Sequence, residues 1–165
     1  MPYNLMTTHK KSFTLIEVLI FVTILSLFFV AAAAVTIVSL RNLKVQEHKI
    51  LATRYAQELV EWLRGEKEEN WGGELYNINN PVDSFTEKIT KFGSSQAVCF
   101  NSLDWNNTSP CTYSLDSFFK RTASFTWNSN FENYIYQVNA SILVEWQELG
   151  QIYQVPINSI FTIWE

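Results

Sequence analysis

A single carboxylate, Glu17, lies near the start of a long apolar stretch of this sequence. Between Phe13 and Leu40 it is the only charged residue. An ionised carboxylate in a lipid-facing segment carries a large desolvation cost, and such groups are retained where a counter-charge pairs with them. The position of Glu17 therefore predicts a functional ion pair.

Residue combinations typical of catalytic and metal sites are missing from the rest of the sequence. The two histidines are His9, before the apolar stretch, and His48, beyond it, so a histidine-based triad in the C-terminal region lacks its base. No CxxC, HExxH or GxxxxGK[ST] motif is present, which removes the usual zinc and P-loop ligands. The acidic residues considered for calcium do not have the spacing of a loop site; they are Asp83, Glu87, Asp104 and Asp116. We predict no catalytic residues, no cofactor and no metal site.

Two cysteines, Cys99 and Cys111, enclose a segment rich in Asn and Ser. A disulfide between them is chemically permitted if this region lies outside the cytoplasm. Closing a loop of this size stabilises a fold by about 3 kcal/mol in the chain-entropy model. The alternative is a pair of free, buried thiols.

The apolar stretch that contains Glu17 is long enough to cross a membrane. Residues 13–40 would form about 42 Å of helix, and a bilayer core needs about 20 residues. His9, Lys10 and Lys11 precede it with no acidic residue, which favours a cytoplasmic N-terminus and an extracytoplasmic C-terminal region. Two alternatives are a secretory signal peptide cleaved at Ala31–Ala34 and a plain signal anchor. Neither explains Glu17.

The helical pattern continues past the apolar stretch into residues 41–64. No Pro or Gly interrupts the chain between Phe13 and Arg64, and Gly65 is a reasonable C-terminal stop. Apolar residues in this part recur mostly at spacings of three and four, which predicts one buried stripe; they are Leu43, Leu51, Tyr55, Leu59, Trp62 and Leu63. The alternative is a membrane helix followed by a separate core helix. The charged run at 66–69 is predicted to be a solvated loop.

Residues 65–165 are predicted to form a globular, β-rich head. Residues 71–116 carry turn signals and read as irregular, with a short strand around 97–100. A long hairpin is predicted from strict alternation of apolar and polar residues over 134–146, a turn at Leu149–Gly150, and apolar residues at every second position over much of 153–163. Residues 123–127 are predicted to form a third strand. Pro156 marks an edge strand or a bulge. The expected fold class is α+β, a long helix packed on a small antiparallel sheet.

The residues Ser12-Phe13-Thr14-Leu15-Ile16-Glu17-Val18-Leu19 resemble the class III leader junction of type IV pilins and pseudopilins. In that family a dedicated peptidase cuts a short basic leader before a phenylalanine, the new N-terminus is methylated, and the fifth mature residue is glutamate. The resemblance implies a leader at 1–12, a cleavage junction at Ser12 and Phe13, N-methylation of Phe13, and an assembly role for Glu17. Ser12 stands where the family has glycine. The C-terminal hairpin is also similar to the tail of small minor pilins and I-type pseudopilins.

This resemblance also implies partners and a location. The expected partners are other pilin or pseudopilin subunits, a prepilin peptidase and methyltransferase, an inner-membrane assembly platform, and membrane lipid. The expected location is the inner membrane, with a single span, a cytoplasmic N-terminus and an extracytoplasmic head, followed by a periplasmic or cell-surface filament. In that filament Glu17 of one subunit meets the Phe13 amine of a neighbour.

A second hypothesis is a signal-anchored binding module whose loops between Trp71 and Asp116 bind DNA, glycan or a secreted substrate. Exposed Trp71, Trp105 and Trp127 would suit such a role, although packing in a small domain is their ordinary use. The net charge of −4 argues against nucleic acid. Loss of Lys10 and Lys11 with the leader leaves ten basic against 16 acidic side chains, a formal charge of −6. The sequence does not distinguish a pilus from a type II secretion or DNA-uptake filament.

Overall fold

In the computed structural model of the chain, residues 14–71, 84–106, 110–130 and 134–164 are described. The chain divides into two compact units, Met1–Lys44 and Val45–Glu165. Within the described residues, the chain forms one long helix, one short helix and four strands.

Helix α1 spans Leu15–Glu69 as a single element, so the alternative of two separate helices is not observed. It passes the expected stop at Gly65, and the prediction of an end at Arg64 is wrong. A glycine inside a helix costs only about 1 kcal/mol relative to alanine. Leu63 and Lys67, on either side of Gly65, are both buried, and the packing of these two side chains outweighs that cost.

Helix α2, Phe85–Phe92, lies in the region that the sequence pattern left irregular. Its N-cap is Ser84, whose hydroxyl accepts a hydrogen bond from the Glu87 backbone N–H at 3.3 Å. Gly93 follows its last turn with φ at 82°, a conformation that favours glycine. Phe85 and Ile89 are buried, which fixes the orientation of this short helix.

The four strands form one antiparallel sheet in the order β1-β2-β3-β4. Their bounds are Val98–Cys99, Phe119–Ser129, Ile135–Glu148 and Gln151–Thr162. The predicted hairpin, its turn and the third strand are confirmed. Leu149 and Gly150 both have positive φ, as in the two-residue turns that match the twist of a hairpin. Pro156 lies on β4, at the edge of the described sheet, where its missing N–H is tolerated.

The core of the Val45–Glu165 unit lies between α1 and one face of this sheet. On the helix, Ala52 and Ala56 are fully buried, and Leu59 and Leu63 continue the same buried stripe. The sheet supplies alternate residues of β2 and β3; the buried ones include Phe119, Ala123, Phe125, Val138, Ala140, Ile142, Val144 and Trp146. The fold is the predicted α+β arrangement.

Candidate functional site

The N-terminal junction is only partly within the described residues. Ser12 and Phe13, the predicted cleavage and methylation positions, lie outside them. Glu17 lies in the first turn of α1, and its backbone N–H donates to the Thr14 carbonyl at 3.1 Å. A carboxylate in the first turn interacts favourably with the helix dipole. In the sequence, Glu17 follows Phe13 by four residues.

The segment that follows Glu17 presents apolar side chains outward on all sides. Leu27 is 70% exposed and Phe28 is 67% exposed. By length and composition α1 contains a stretch able to cross a membrane. The hydroxyls of Thr23, Ser26 and Thr36 donate to carbonyls three or four residues earlier, so they are satisfied within the helix. That internal pairing is what a helix in lipid requires of its polar groups.

Residues 7–33 match the family model described as the prokaryotic N-terminal methylation motif. This motif is the class III prepilin-type signal of type IV pilins and pseudopilins, so the chain carries that signal. Proteins of this type are structural subunits that are processed by a prepilin peptidase and assemble with other subunits. No curated protein and no solved structure matches the chain.

In the globular unit, a buried arginine joins the sheet to the helix. Arg121 on β2 is only 1% exposed. Its guanidinium group donates to the Phe100 carbonyl at 2.6 Å, the Tyr55 carbonyl at 2.7 Å and the Glu58 carboxylate at 2.8 Å. Burial lowers the pKa of Arg121, and the Glu58 carboxylate opposes that shift. Two acceptors on α1 and one directly after β1 therefore fix this cation in one position.

Arg121 was missed in the sequence because the predicted strand began at Ala123. Arg121 lies on the buried face of β2, in the same alternating set as Phe119, Ala123 and Phe125. This alternation was the signal available in the sequence. A charged residue on the buried face of a strand is rare unless it is paired. Its partners Tyr55 and Glu58 are more than sixty residues earlier in the chain, so the pattern alone does not identify them.

The charged run at 66–69 is helical, which corrects the prediction of a loop. Glu66 and Lys67 are packed against the fold, whereas Glu68 and Glu69 are exposed to solvent as predicted. Glu66 accepts hydrogen bonds from Lys88 at 2.9 Å and from the Trp105 indole at 2.6 Å. Burial alone would raise the pKa of Glu66, but the hydrogen bonds from Lys88 and Trp105 outweigh it and lower the pKa. The carboxylate therefore ties α1 to α2 and to the loop after β1.

The aromatic side chains considered for ligand stacking are packed instead. Trp71, Trp105 and Trp127 are partly buried against the hydrophobic core. The Trp71 indole donates to the Ile135 carbonyl at 3.0 Å, which uses its polar group within the fold. These contacts support the packing interpretation of the tryptophans.

The two cysteines are joined in the structure, with Cα atoms 5.1 Å apart. The loop that they close is also held by Asn101, whose amide donates to the Thr112 carbonyl and accepts from the Arg121 N–H. The oxidised state of Cys99 and Cys111 in the cell remains a prediction.

The other titratable residues singled out in the sequence are dispersed. His48 pairs with Glu148 through Nδ1 and Oε2 at 2.9 Å, and its ring packs at a tilt against Phe118, with centroids 4.6 Å apart. Asp83 lies outside the described residues, and within the described ranges no group of three or more acidic, Cys or His residues has the geometry of a metal site.

Proposed function

We propose that this protein is a structural subunit, a minor pilin or pseudopilin, of a type IV pilus or a type II secretion-like filament. The observation that carries the proposal is the methylation motif at 7–33 together with Glu17 in the first turn of an exposed apolar helix. The four-strand head is compatible with this role.

In this proposal a prepilin peptidase cuts between Ser12 and Phe13 on the cytoplasmic side of the membrane, and Phe13 is then methylated. Cleavage removes Lys10 and Lys11 and creates a positive α-amine four residues before Glu17. Four residues correspond to about 6 Å along a helix. The cut therefore creates a positive charge close in sequence to Glu17, and this amine is the proposed counter-charge.

Assembly then uses this counter-charge to select the register between subunits. The Phe13 amine of an incoming subunit pairs with Glu17 of a neighbour, because an unpaired charge in an apolar environment is costly. The apolar residues of 13–40 exchange lipid contacts for contacts with neighbouring helices. Since lipid and helix surfaces are similarly apolar, the ion pair contributes specificity that apolar packing lacks.

The test is substitution of Glu17 in the native host. Glu17→Ala is expected to leave the subunit in the membrane and remove it from the sheared filament fraction, whereas Glu17→Asp keeps the charge and should retain part of the incorporation. Glu47→Ala is the matched control, since Glu47 is an exposed acidic residue of the same helix beyond the apolar segment. Normal incorporation of the Glu17→Ala subunit would refute the ion-pair mechanism.

Mass spectrometry of the native N-terminal peptide separates this proposal from the alternatives. A methylated Phe13 terminus supports peptidase processing with Ser12 at the junction. An intact Met1 terminus would indicate a signal-anchored head and favour a binding module. A terminus after Ala34 would indicate a secreted domain and exclude the filament role.

A further inference from the structure

The disulfide between Cys99 and Cys111 lies next to the buried Arg121. Cys99, at the end of β1, is paired with Thr122 in the sheet, and Phe100 follows it in the chain. The Phe100 N–H donates to the Arg121 carbonyl at 2.8 Å, and the Phe100 carbonyl accepts from Arg121 Nε at 2.6 Å. The residue after Cys99 therefore holds Arg121 by both its backbone and its side chain.

Asn101 extends this contact to the segment that contains the second cysteine. Its side-chain oxygen accepts from the Arg121 N–H at 2.8 Å. Its side-chain nitrogen donates to the Thr112 carbonyl and to the Ser114 hydroxyl, each at 2.7 Å. The Cys111 Sγ itself lies 3.5 Å from the Arg121 carbonyl oxygen. The two chain segments that the disulfide joins are therefore the segments that surround the backbone of Arg121.

Strand β1 is held only weakly by the sheet ladder. It has two residues, and β2 is its partner among the described strands. A short edge strand has few ladder hydrogen bonds, and parts of a fold with few contacts open at a low free-energy cost. The disulfide joins the last residue of β1 to Cys111, which lies outside the strands. It therefore supplies a restraint on the Phe100 carbonyl that the ladder does not.

The ring of Phe100 is a second restraint on this segment. Phe100 is fully buried, and its ring packs against Trp62 of α1 and Phe125 of β2, with centroids 6.0 Å apart in each pair. If this packing alone fixed the backbone, reduction of the disulfide would leave the contacts of Arg121 unchanged. The two restraints therefore differ in a measurable way, because only the disulfide depends on the redox state.

We infer that oxidation of Cys99 and Cys111 fastens the head to α1 through Arg121, so that attachment of the helix depends on the redox state. In the oxidised chain the Phe100 carbonyl stays within reach of the guanidinium group, which also donates to two acceptors on α1. In the reduced chain β1 and Phe100 separate from β2, and Arg121 loses this acceptor. A buried cation that lacks an acceptor carries a desolvation cost, so the guanidinium group turns toward water and releases α1.

The redox step is thiol–disulfide exchange with a disulfide-bearing oxidant. The thiolate of one cysteine attacks a sulfur atom of the oxidant and displaces one thiolate from it. The thiolate of the other cysteine then attacks the mixed disulfide and displaces the second thiolate. The two cysteines together lose two electrons and two protons, and the oxidant leaves as two thiols. Reduction by a thiol or a phosphine reverses the change.

This inference does not rest on the filament role. It concerns contacts within the Val45–Glu165 unit, and it requires only that the head meets an oxidant of this class. Compartments outside the cytoplasm are oxidising, and the head is expected to lie there. The head therefore becomes fastened to α1 after it has left the cytoplasm.

The test is urea unfolding of the full-length chain in detergent micelles, either oxidised with oxidised glutathione or reduced with tris(2-carboxyethyl)phosphine. Glu58→Ala removes the carboxylate on α1 that Arg121 contacts. In the oxidised chain it is expected to lower the folding equilibrium constant about thirtyfold, because the buried guanidinium group loses its charged partner. In the reduced chain the loss should be about threefold or less, because an ion pair in water contributes little.

Glu61→Ala is the matched control, since Glu61 pairs with the exposed Arg64 on the same helix. Its effect should be small and equal in the two redox states.

Hydrogen exchange of the same two samples without urea covers the case in which reduction destabilises the whole head. Reduction is expected to speed exchange at the Phe100 and Arg121 amides and along residues 52–63 of α1 by about tenfold or more. Strands β3 and β4 should stay protected, because their ladder does not include the disulfide. This pattern would show local release of α1.

Two results would overturn the inference. One is an equal effect of Glu58→Ala in the oxidised and reduced chains, which would show that packing of the Phe100 ring is sufficient. The other is a uniform loss of protection on reduction, with β3 and β4 included. That result would show that the disulfide stabilises the head as a whole without acting through Arg121.

Discussion

The ion pair between Arg121 and Glu58 provides a quantitative test of how the head is held on its helix. Arg121 is 1% exposed at the side chain, whereas the Glu58 side chain is 51% exposed. Removing one partner of a fully buried pair costs about 3–5 kcal/mol, and exposed pairs contribute about 0–1 kcal/mol. Because one partner is buried and the other is half-exposed and screened by water, Glu58→Ala is expected to destabilise the head by about 2 kcal/mol.

A double-mutant cycle isolates the pair from other effects of the substitutions. Arg121→Met keeps an unbranched side chain of similar length and removes the buried charge. In that background Glu58→Ala should cost close to nothing, because no guanidinium group remains to be left unpaired. The expected coupling free energy is therefore about 2 kcal/mol.

The assay is denaturant unfolding of a fragment covering the Val45–Glu165 unit, followed by tryptophan fluorescence. The control cycle uses Arg64 and Glu61 on the exposed side of the same helix, 50% and 65% exposed at their side chains. Its coupling should be about 0.5 kcal/mol or less. Equal coupling free energies for the two pairs would refute the reasoning that burial of Arg121 determines the strength of the contact.

Two further predictions concern Glu66 and the cysteines. The folded-state pKa of Glu66 is lowered below 4.5, so its ionised contacts with Lys88 and Trp105 contribute stability that is present above that pH and is lost as pH falls through the lowered pKa. The difference in unfolding free energy between wild type and Glu66→Gln should therefore be largest near neutral pH and shrink on acidification; a pH-independent difference would contradict this. The disulfide between Cys99 and Cys111, twelve residues apart in sequence, should form in the native protein and contribute about 3 kcal/mol. Thiol alkylation before reduction, followed by mass spectrometry, tests whether the disulfide forms; full alkylation of the native protein would show free thiols. Unfolding of Cys111→Ser tests the contribution of the disulfide to stability.

Local patterns predicted the regular elements of the head well. The alternation in β3 and β4 and the turn at Leu149–Gly150 depend on neighbours in sequence, and all appear in the structure. The end of α1 was predicted wrongly. Gly65 is a stop signal that can be seen in the local sequence, whereas the packing of Leu63 and Lys67 that overrides it involves residues far away in the chain. Helix α2 was missed for a similar reason: its eight residues are stabilised by burial of Phe85 and Ile89 against distant parts of the chain.

The sequence by itself determined the membrane-capable segment and the prepilin-type signal. Both depend on consecutive residues: an uninterrupted apolar run, a basic leader and the fixed spacing of Phe13 and Glu17. Only the tertiary structure decided that Arg121 is buried against Tyr55 and Glu58, that Glu66 joins two helices, and that β4 is left at an edge. These properties arise from contacts between residues far apart in the chain, and periodicity identifies a buried face without identifying its partner.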